Sequence, residues 1–172
     1  MRQEETMNTR RILIPLDGSE TAEAAIPEAV EMAHGGPCTF LLLRVAHARV
    51  LPGADVVGDW VEATREAEYY LARVKRDLEK KRIGPIETLV WQGAPAPAIV
   101  DAARVNRADL IVMTSHGRSG IGRLIFGSVA EAVLRGSRLP ILLVRPAGAP
   151  VERPAGEVEA RPATAPDPRT AS

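Results

Sequence analysis

Five short apolar runs, spaced by segments of helical period, limit the fold more than any other feature of the chain. They are "RILIPLD" (11–17), "CTFLLLRVAH" (38–47), "IETLVWQG" (86–93), "ADLIVMTS" (108–115) and "LPILLVRP" (139–146). Each is strand-length, and the second and fourth are apolar almost throughout. A strand without polar alternation is buried on both faces, as in a parallel sheet covered by helices. The intervening segments fit that role. Residues 19–34 carry apolar side chains at 22, 25, 26, 29, 30 and 33, which is helical spacing. Residues 60–82 carry an inner stripe of Ala63, Ala67, Leu71, Val74 and Leu78, with charges on the other face. Residues 94–107 open on two prolines, which suit a first helical turn, and residues 128–137 form a last short helix. The order β-α-β-α-β-α-β-α-β predicts an α/β fold with an open parallel sheet and right-handed crossovers. In such sheets ligands sit beyond the carboxyl ends of the strands, where the strand order reverses.

Local signals sharpen this outline. Ser19 is a good helix N-cap, with Glu20 and Glu23 near the positive end of the dipole. Pro27 removes one helical hydrogen bond and is expected to bend the axis. Residues 48–59 read as a loop. Residues 1–10 are polar and read as a flexible extension, so the folded domain is expected over 11–146. From Ala147 to Ser172 there is no Leu, Ile, Met or aromatic residue, and this Pro/Ala-rich tail is expected to be disordered.

Composition excludes several classes. Aromatics are 3% of the 172 residues, so the core must be aliphatic. Formal net charge is zero, so nothing global points to nucleic acid. Cys38 is the only cysteine, which rules out an intrachain disulfide or a cysteine-based metal cluster, and its apolar setting suits a buried, inert thiol. No apolar run has the length of a bilayer span. The opening "MRQEETMNTRR" has no apolar segment behind its charges, unlike a secretory leader. A cytoplasmic protein is expected.

Two clusters fall at strand carboxyl ends. "PLDGS" holds Pro15, Leu16, Asp17 and Ser19. Asp17 is placed to accept hydrogen bonds from ribose hydroxyls, or to close the strand as an Asx turn with Gly18. The second cluster, "TSHGRSGIGRLIFGS" (114–128), holds four glycines and two arginines but no lysine. It is either an anion cradle or a flexible connection. As a cradle, Gly117 would let backbone amides approach a ligand, and Gly127-Ser128 would offer the free N–H groups of a helix start. A nest of successive amides binds phosphate without a lysine. The P-loop pattern G-x-x-x-x-G-K-[ST] and the dinucleotide pattern G-x-G-x-x-G are both absent. His116 has no carboxylate or nucleophile nearby in sequence to make it a base. His34 and His47 look structural, and the three histidines show no metal spacing.

The segments "ILIPLDGS", "ADLIVMTSHGRSG" and "GSVAEAVLRGSRLPILLVRP", in that order, resemble the universal stress protein superfamily over about residues 10–146. The chain is similar to its ATP-binding, UspA-like branch, whose motif is G-x2-G-x9-G-[ST]. Gly117 and Gly127-Ser128 match it, and Thr114 replaces the first glycine. The resemblance implies a five-stranded sheet of order 3-2-1-4-5 with helices on both faces, of the Rossmann-like, adenine nucleotide alpha hydrolase type. It implies ATP in the crevice between strands one and four, with Mg2+ or Mn2+ held by the phosphates. Asp17, flanked by Pro15 and Leu16, would meet the ribose or base, and Val45 the adenine. Met113 and Thr114 would line the floor. His116, Gly117, Arg118, Gly127, Ser128 and Val129 would hold or neighbour the phosphates. It also implies a homodimer through the last strand, Pro140 to Arg145, and a stress-response role without fast catalysis. A slow ATPase or a phosphotransfer protein using Ser115, Ser119 or Ser128 is the alternative, and a non-binding structural dimer a third.

Overall fold

The computed structural model describes residues 9–33, 36–47, 55–115 and 127–145. Five strands, β1 (Arg10–Leu16), β2 (Cys38–Ala46), β3 (Ile86–Gln92), β4 (Leu110–Thr114) and β5 (Ile141–Val144), form one sheet. All pairings are parallel and the order is β3-β2-β1-β4-β5. The helices are α1 (Glu20–Glu23), α2 (Ala25–Ala33), α3 (Val56–Glu79), α4 (Pro95–Val105) and α5 (Ser128–Gly136). The fold class and strand order are those expected.

Alternate residues of each central strand feed two separate cores, which is why the strands read as unbroken apolar runs. Ile12, Ile14 and Leu16 of β1, Phe40 and Leu42 of β2, and Val112 of β4 pack on one face. There they meet Ala25 and Ala29 of α2 and Leu71, Val74 and Leu78 of α3. Leu13, Leu41, Leu43, Ile111 and Met113 point to the other face and meet Ile99, Ala102 and Ala103 of α4 and Val133 of α5. Each fully buried Leu or Ile contributes about 1.5–3 kcal/mol relative to exposure. At the amino end of the sheet Arg11 bonds Glu87 through both Nη atoms (3.2 and 2.8 Å), and its Nε donates to Asn106 O at 2.9 Å. This ties β1 to β3 and to the turn after α4.

Three differences from the sequence reading have clear causes. The helix expected over 19–34 is two helices, broken at Ala24. Pro27 has no N–H to give Glu23 O and its ring crowds that carbonyl, so the break falls one turn upstream of the proline. Ser19 does cap α1, accepting from Ala22 N at 3.1 Å. Second, α3 begins at Val56, inside the expected loop. Its Gly58 looks like a breaker, but a Cβ there would lie 2.6 Å from Asp55 Oδ2, so the glycine makes room for the side chain at the helix entrance. Third, Arg10, expected in the loose extension, is the first residue of β1 and donates its N–H to Pro37 O. Residues 1–8 of the extension, the tail over 147–172 and most of the glycine turn lie outside the described residues. Among the described residues no helix is long and apolar enough to cross a membrane.

Candidate functional site

The strand order reverses at β1, which has β2 on one side and β4 on the other. Beyond the carboxyl ends of these strands lies a cleft of about 800 Å³. That volume is within the range of about 300–1,000 Å³ usual for small-molecule sites.

Most residues expected at the site meet there. Pro15, Leu16 and Asp17 come from the end of β1, Val45 from β2, Met113 and Thr114 from β4, and Gly127, Ser128 and Val129 from the start of α5. His116, Gly117 and Arg118 lie outside the described residues. Asp17 makes an Asx turn while lining the cleft. Its Oδ1 accepts from Ser19 N at 2.9 Å and from Ser19 Oγ at 2.5 Å. The turn needs Gly18, whose φ is +84°. The Asx turn expected of Asp17 is thus formed by a side chain that also borders the cleft.

Across the cleft, α5 begins uncapped. Its N-cap is Gly127, which has no side chain to satisfy the first-turn amides. Gly127 N donates to Ser115 O at 2.6 Å, which clamps the helix start beside the end of β4. The positive end of α5 thus opens on the cleft, an arrangement suited to an anion. Thr114, which stands where the family motif has glycine, is a buried strand residue. It is not among the residues with positive φ, so this position does not demand glycine's conformational freedom.

Several lining residues escaped the sequence reading. Arg44, on β2, reaches the cleft with its guanidinium over the Tyr70 ring at 5.2 Å, and its Nη1 is 3.5 Å from Leu16 O. Arg73 stacks on Tyr70 as well, at 5.3 Å, while the Tyr70 hydroxyl donates to Glu23 Oε1 at 2.9 Å. Burial, and then the bond to Glu23, push the Tyr70 phenol well above its ordinary value. His47, read as structural, lines the cleft at the end of β2. From α3 come Asp59, Glu62, Ala63 and Glu66. Their spacing of three and four is a single helical stripe, legible in sequence, but the charges there suggested solvent. Ala63, expected in the core, belongs to this stripe and is only half-buried. Pro95 and Ile99 of α4 supply an apolar wall. Cys38 starts β2 at the far end from the cleft, and burial pushes its thiol up, away from nucleophile range. Among the described residues no three His, Cys, Asp or Glu are grouped to hold a metal ion.

The fold and this cleft define a doubly wound α/β protein with a ligand site at the strand-order reversal. The profile of the universal stress protein family matches residues 8–145, and the chain belongs to that family. A universal stress protein of Thermus aquaticus is 36% identical over an alignment of 141 residues that covers 79% of this chain and 98% of the relative. The solved structure of MJ0577 from Methanocaldococcus jannaschii is 29% identical, with a TM-score of 0.69 over 79% of this chain and 95% of that one. A family member from Arabidopsis thaliana, solved with AMP bound, shares the fold at 13% identity, with a TM-score of 0.59 over 81% of this chain and 93% of its own.

Proposed function

We propose that this protein binds an adenine nucleotide, ATP with Mg2+ or Mn2+ held mainly by its phosphates, and acts as a dimeric, cytoplasmic stress-response regulator with little catalysis of its own. One observation carries the reading: the uncapped start of α5 at Gly127 faces Asp17 across the cleft. Phosphates suit the helix start, where amide N–H groups and the dipole favour negative charge. The ribose suits Asp17, whose carboxylate accepts hydroxyl hydrogen bonds. The base suits the apolar wall of Val45, Met113 and Ile99. The AMP bound by the Arabidopsis relative and the G-x9-G-[ST] spacing of this chain support an adenine nucleotide as the ligand. The residues present fit such a ligand, and the metal would be held by phosphate oxygens in the absence of a grouped ligand set among the described residues. Dimerisation is assigned to residues 140–145, where β5 forms a sheet edge with half-buried Ile141, Leu142 and Leu143.

The test is nucleotide release. Gently purified protein is denatured, and the released nucleotide is identified by chromatography and mass, with Gly127→Val alongside. The branched side chain closes the approach to the α5 amides. Near-stoichiometric nucleotide in the wild type and none in the variant is the expected outcome. Absence of nucleotide in the wild type, together with no rise in melting point on adding Mg-ATP, overturns the reading, because a ligand of the native state must stabilise it.

A further inference from the structure

We propose that Arg44 is a positioning residue: stacked on Tyr70, its guanidinium braces the Leu16–Gly18 turn and so aims the Asp17 carboxylate at the ribose of the ligand. This rests on the nucleotide reading above and adds to it the means by which ribose hydroxyls are selected. A circuit of contacts starts and ends on this turn. Asp17 Oδ1 accepts from Ser19 N at 2.9 Å and from Ser19 Oγ at 2.5 Å. Ser19 Oγ in turn accepts from Ala22 N and caps α1. Glu23, the last residue of α1, accepts from the Tyr70 hydroxyl at 2.9 Å and from Arg73 Nη2 at 3.1 Å. The Tyr70 ring carries the Arg44 guanidinium, 5.2 Å from the ring centre. Arg44 stands opposite Leu16 in the β1–β2 register, and its Nη1 is 3.5 Å from Leu16 O. Its guanidinium fills the space beside Gly18, where a Cβ would meet Nη1 at 3.0 Å and Cζ at 3.3 Å.

The turn needs such a brace because neither of its halves holds itself. α1 has four residues, far below the about 12–15 that an isolated helix requires. Gly18, at φ +84°, has no side chain to restrict it. Ser19 holds Asp17 from the helix side and Arg44 holds the turn from the β2 side, while Asp17 borders the cleft. A preset acceptor loses little further freedom on binding, so its hydrogen bonds to ribose hydroxyls appear in full in the affinity. Arginine suits the task. Its planar group stacks on an aromatic face and still presents N–H donors at its edge, which the point charge of a lysine does not do. Arg44 itself lines the cleft, but Tyr70 and Glu23 stand behind it, outside the lining. A change at Tyr70 therefore reaches the ligand only by way of the turn.

Calorimetric titration with Mg-ATP and with the Mg2+ complex of dideoxy-ATP, which lacks both ribose hydroxyls, reads the contact as a ratio of affinities. The wild type is expected to prefer ATP by about tenfold or more, as for a hydrogen bond to a charged acceptor. Tyr70→Leu removes the stack and is expected to cut the ratio to about threefold or less, through weaker binding of ATP. Arg44→Met does the same, and the two together do no more than either alone, as for members of one unit. Arg44→Lys keeps the charge without the plane and does not restore the ratio. Tyr70→Phe keeps the ring and most of the ratio. Tyr69→Leu, at an exposed neighbour on α3, leaves it unchanged. Melting curves confirm folding, and if Tyr70→Leu fails to fold, Arg44→Met against Arg44→Lys decides. Several results overturn the brace while leaving the nucleotide reading intact. They are a wild-type ratio near one, an unchanged ratio in Tyr70→Leu, a Tyr70→Phe protein that loses the ratio as fully as Tyr70→Leu, and equal loss of both nucleotides in Arg44→Met with recovery in Arg44→Lys. A wild type that binds neither nucleotide overturns both.

Discussion

Gly18→Ala tests how the Asp17 turn is held. Two effects destabilise the variant. At φ +84° an L-residue costs about 1–2 kcal/mol relative to glycine. The new Cβ would also lie 3.0 Å from Arg44 Nη1 and 3.2 Å from Nη2. Those atoms end a flexible side chain, so Arg44 yields and gives up its place over Tyr70, worth about 0.5–1 kcal/mol. Alanine restricts the unfolded chain more than glycine, which returns about 0.4–1 kcal/mol. The net is a loss of about 1–2 kcal/mol, or a fall in melting point of about 4–8 °C for a domain of this size. Gly36→Ala is the control: nothing lies within 4 Å of its Cβ position and its φ is not positive. That variant is expected to melt within about 2 °C of the wild type. Repeating Gly18→Ala in an Arg44→Ala background removes the clash and leaves only the backbone effect, so the two changes should couple by about 0.5–1 kcal/mol. Differential scanning calorimetry on the four proteins of the cycle decides it. A Gly18→Ala protein that melts with the wild type refutes the backbone reasoning, and strict additivity with Arg44→Ala refutes the assigned contact.

Thr114→Gly is expected to lower stability by about 1 kcal/mol, since it removes a buried side chain and adds chain entropy within a strand, and to change nucleotide affinity less than threefold, because this position already has strand angles; a tenfold gain in affinity by calorimetry would mean that the threonine Cβ obstructs the ligand. Tyr70→Phe is expected to alter the alkaline limb of the stability curve. The folded phenol is held above its ordinary 10, so its contribution is present below about pH 10 and is lost as pH rises and the unfolded chain ionises. The difference between wild type and Tyr70→Phe should therefore be constant from pH 7 to 9 and shrink above pH 10, read as denaturant midpoints; parallel curves would refute it.

The fold was legible because its local and global signals agree. Leu41 and Leu42 face opposite cores, and that two-sided burial is written directly as consecutive apolar residues. Ser19 and Pro27 mark one helix start and one break by side-chain and ring chemistry that acts within a single turn. The start of α3 was not legible for the same reason in reverse. Gly58 is a breaker by propensity, and its use here depends on where the Asp55 carboxylate sits. β-branched Val56 and Val57 further disguised the first turn.

The site divides along the same line. Residues contributed by strand ends, such as Asp17 and Thr114, follow from topology alone, since a parallel sheet delivers its carboxyl ends to one place. Residues contributed by α3 do not, because a helix stripe bearing Asp59, Glu62 and Glu66 has the composition of a solvated face. That face stays partly exposed and still borders the cleft, and the sign is visible at Ala63. It keeps the spacing of Ala67 and Leu71, yet it lines the cleft instead of the core. Arg44 illustrates the remaining case. A charged residue inside an apolar strand run looks like a misfit, but it is the residue that Tyr70 stacks on and that fills the space behind Gly18. A charge interrupting a buried strand near its carboxyl end is thus a positional signal, because only there does the strand leave the core and meet the cleft.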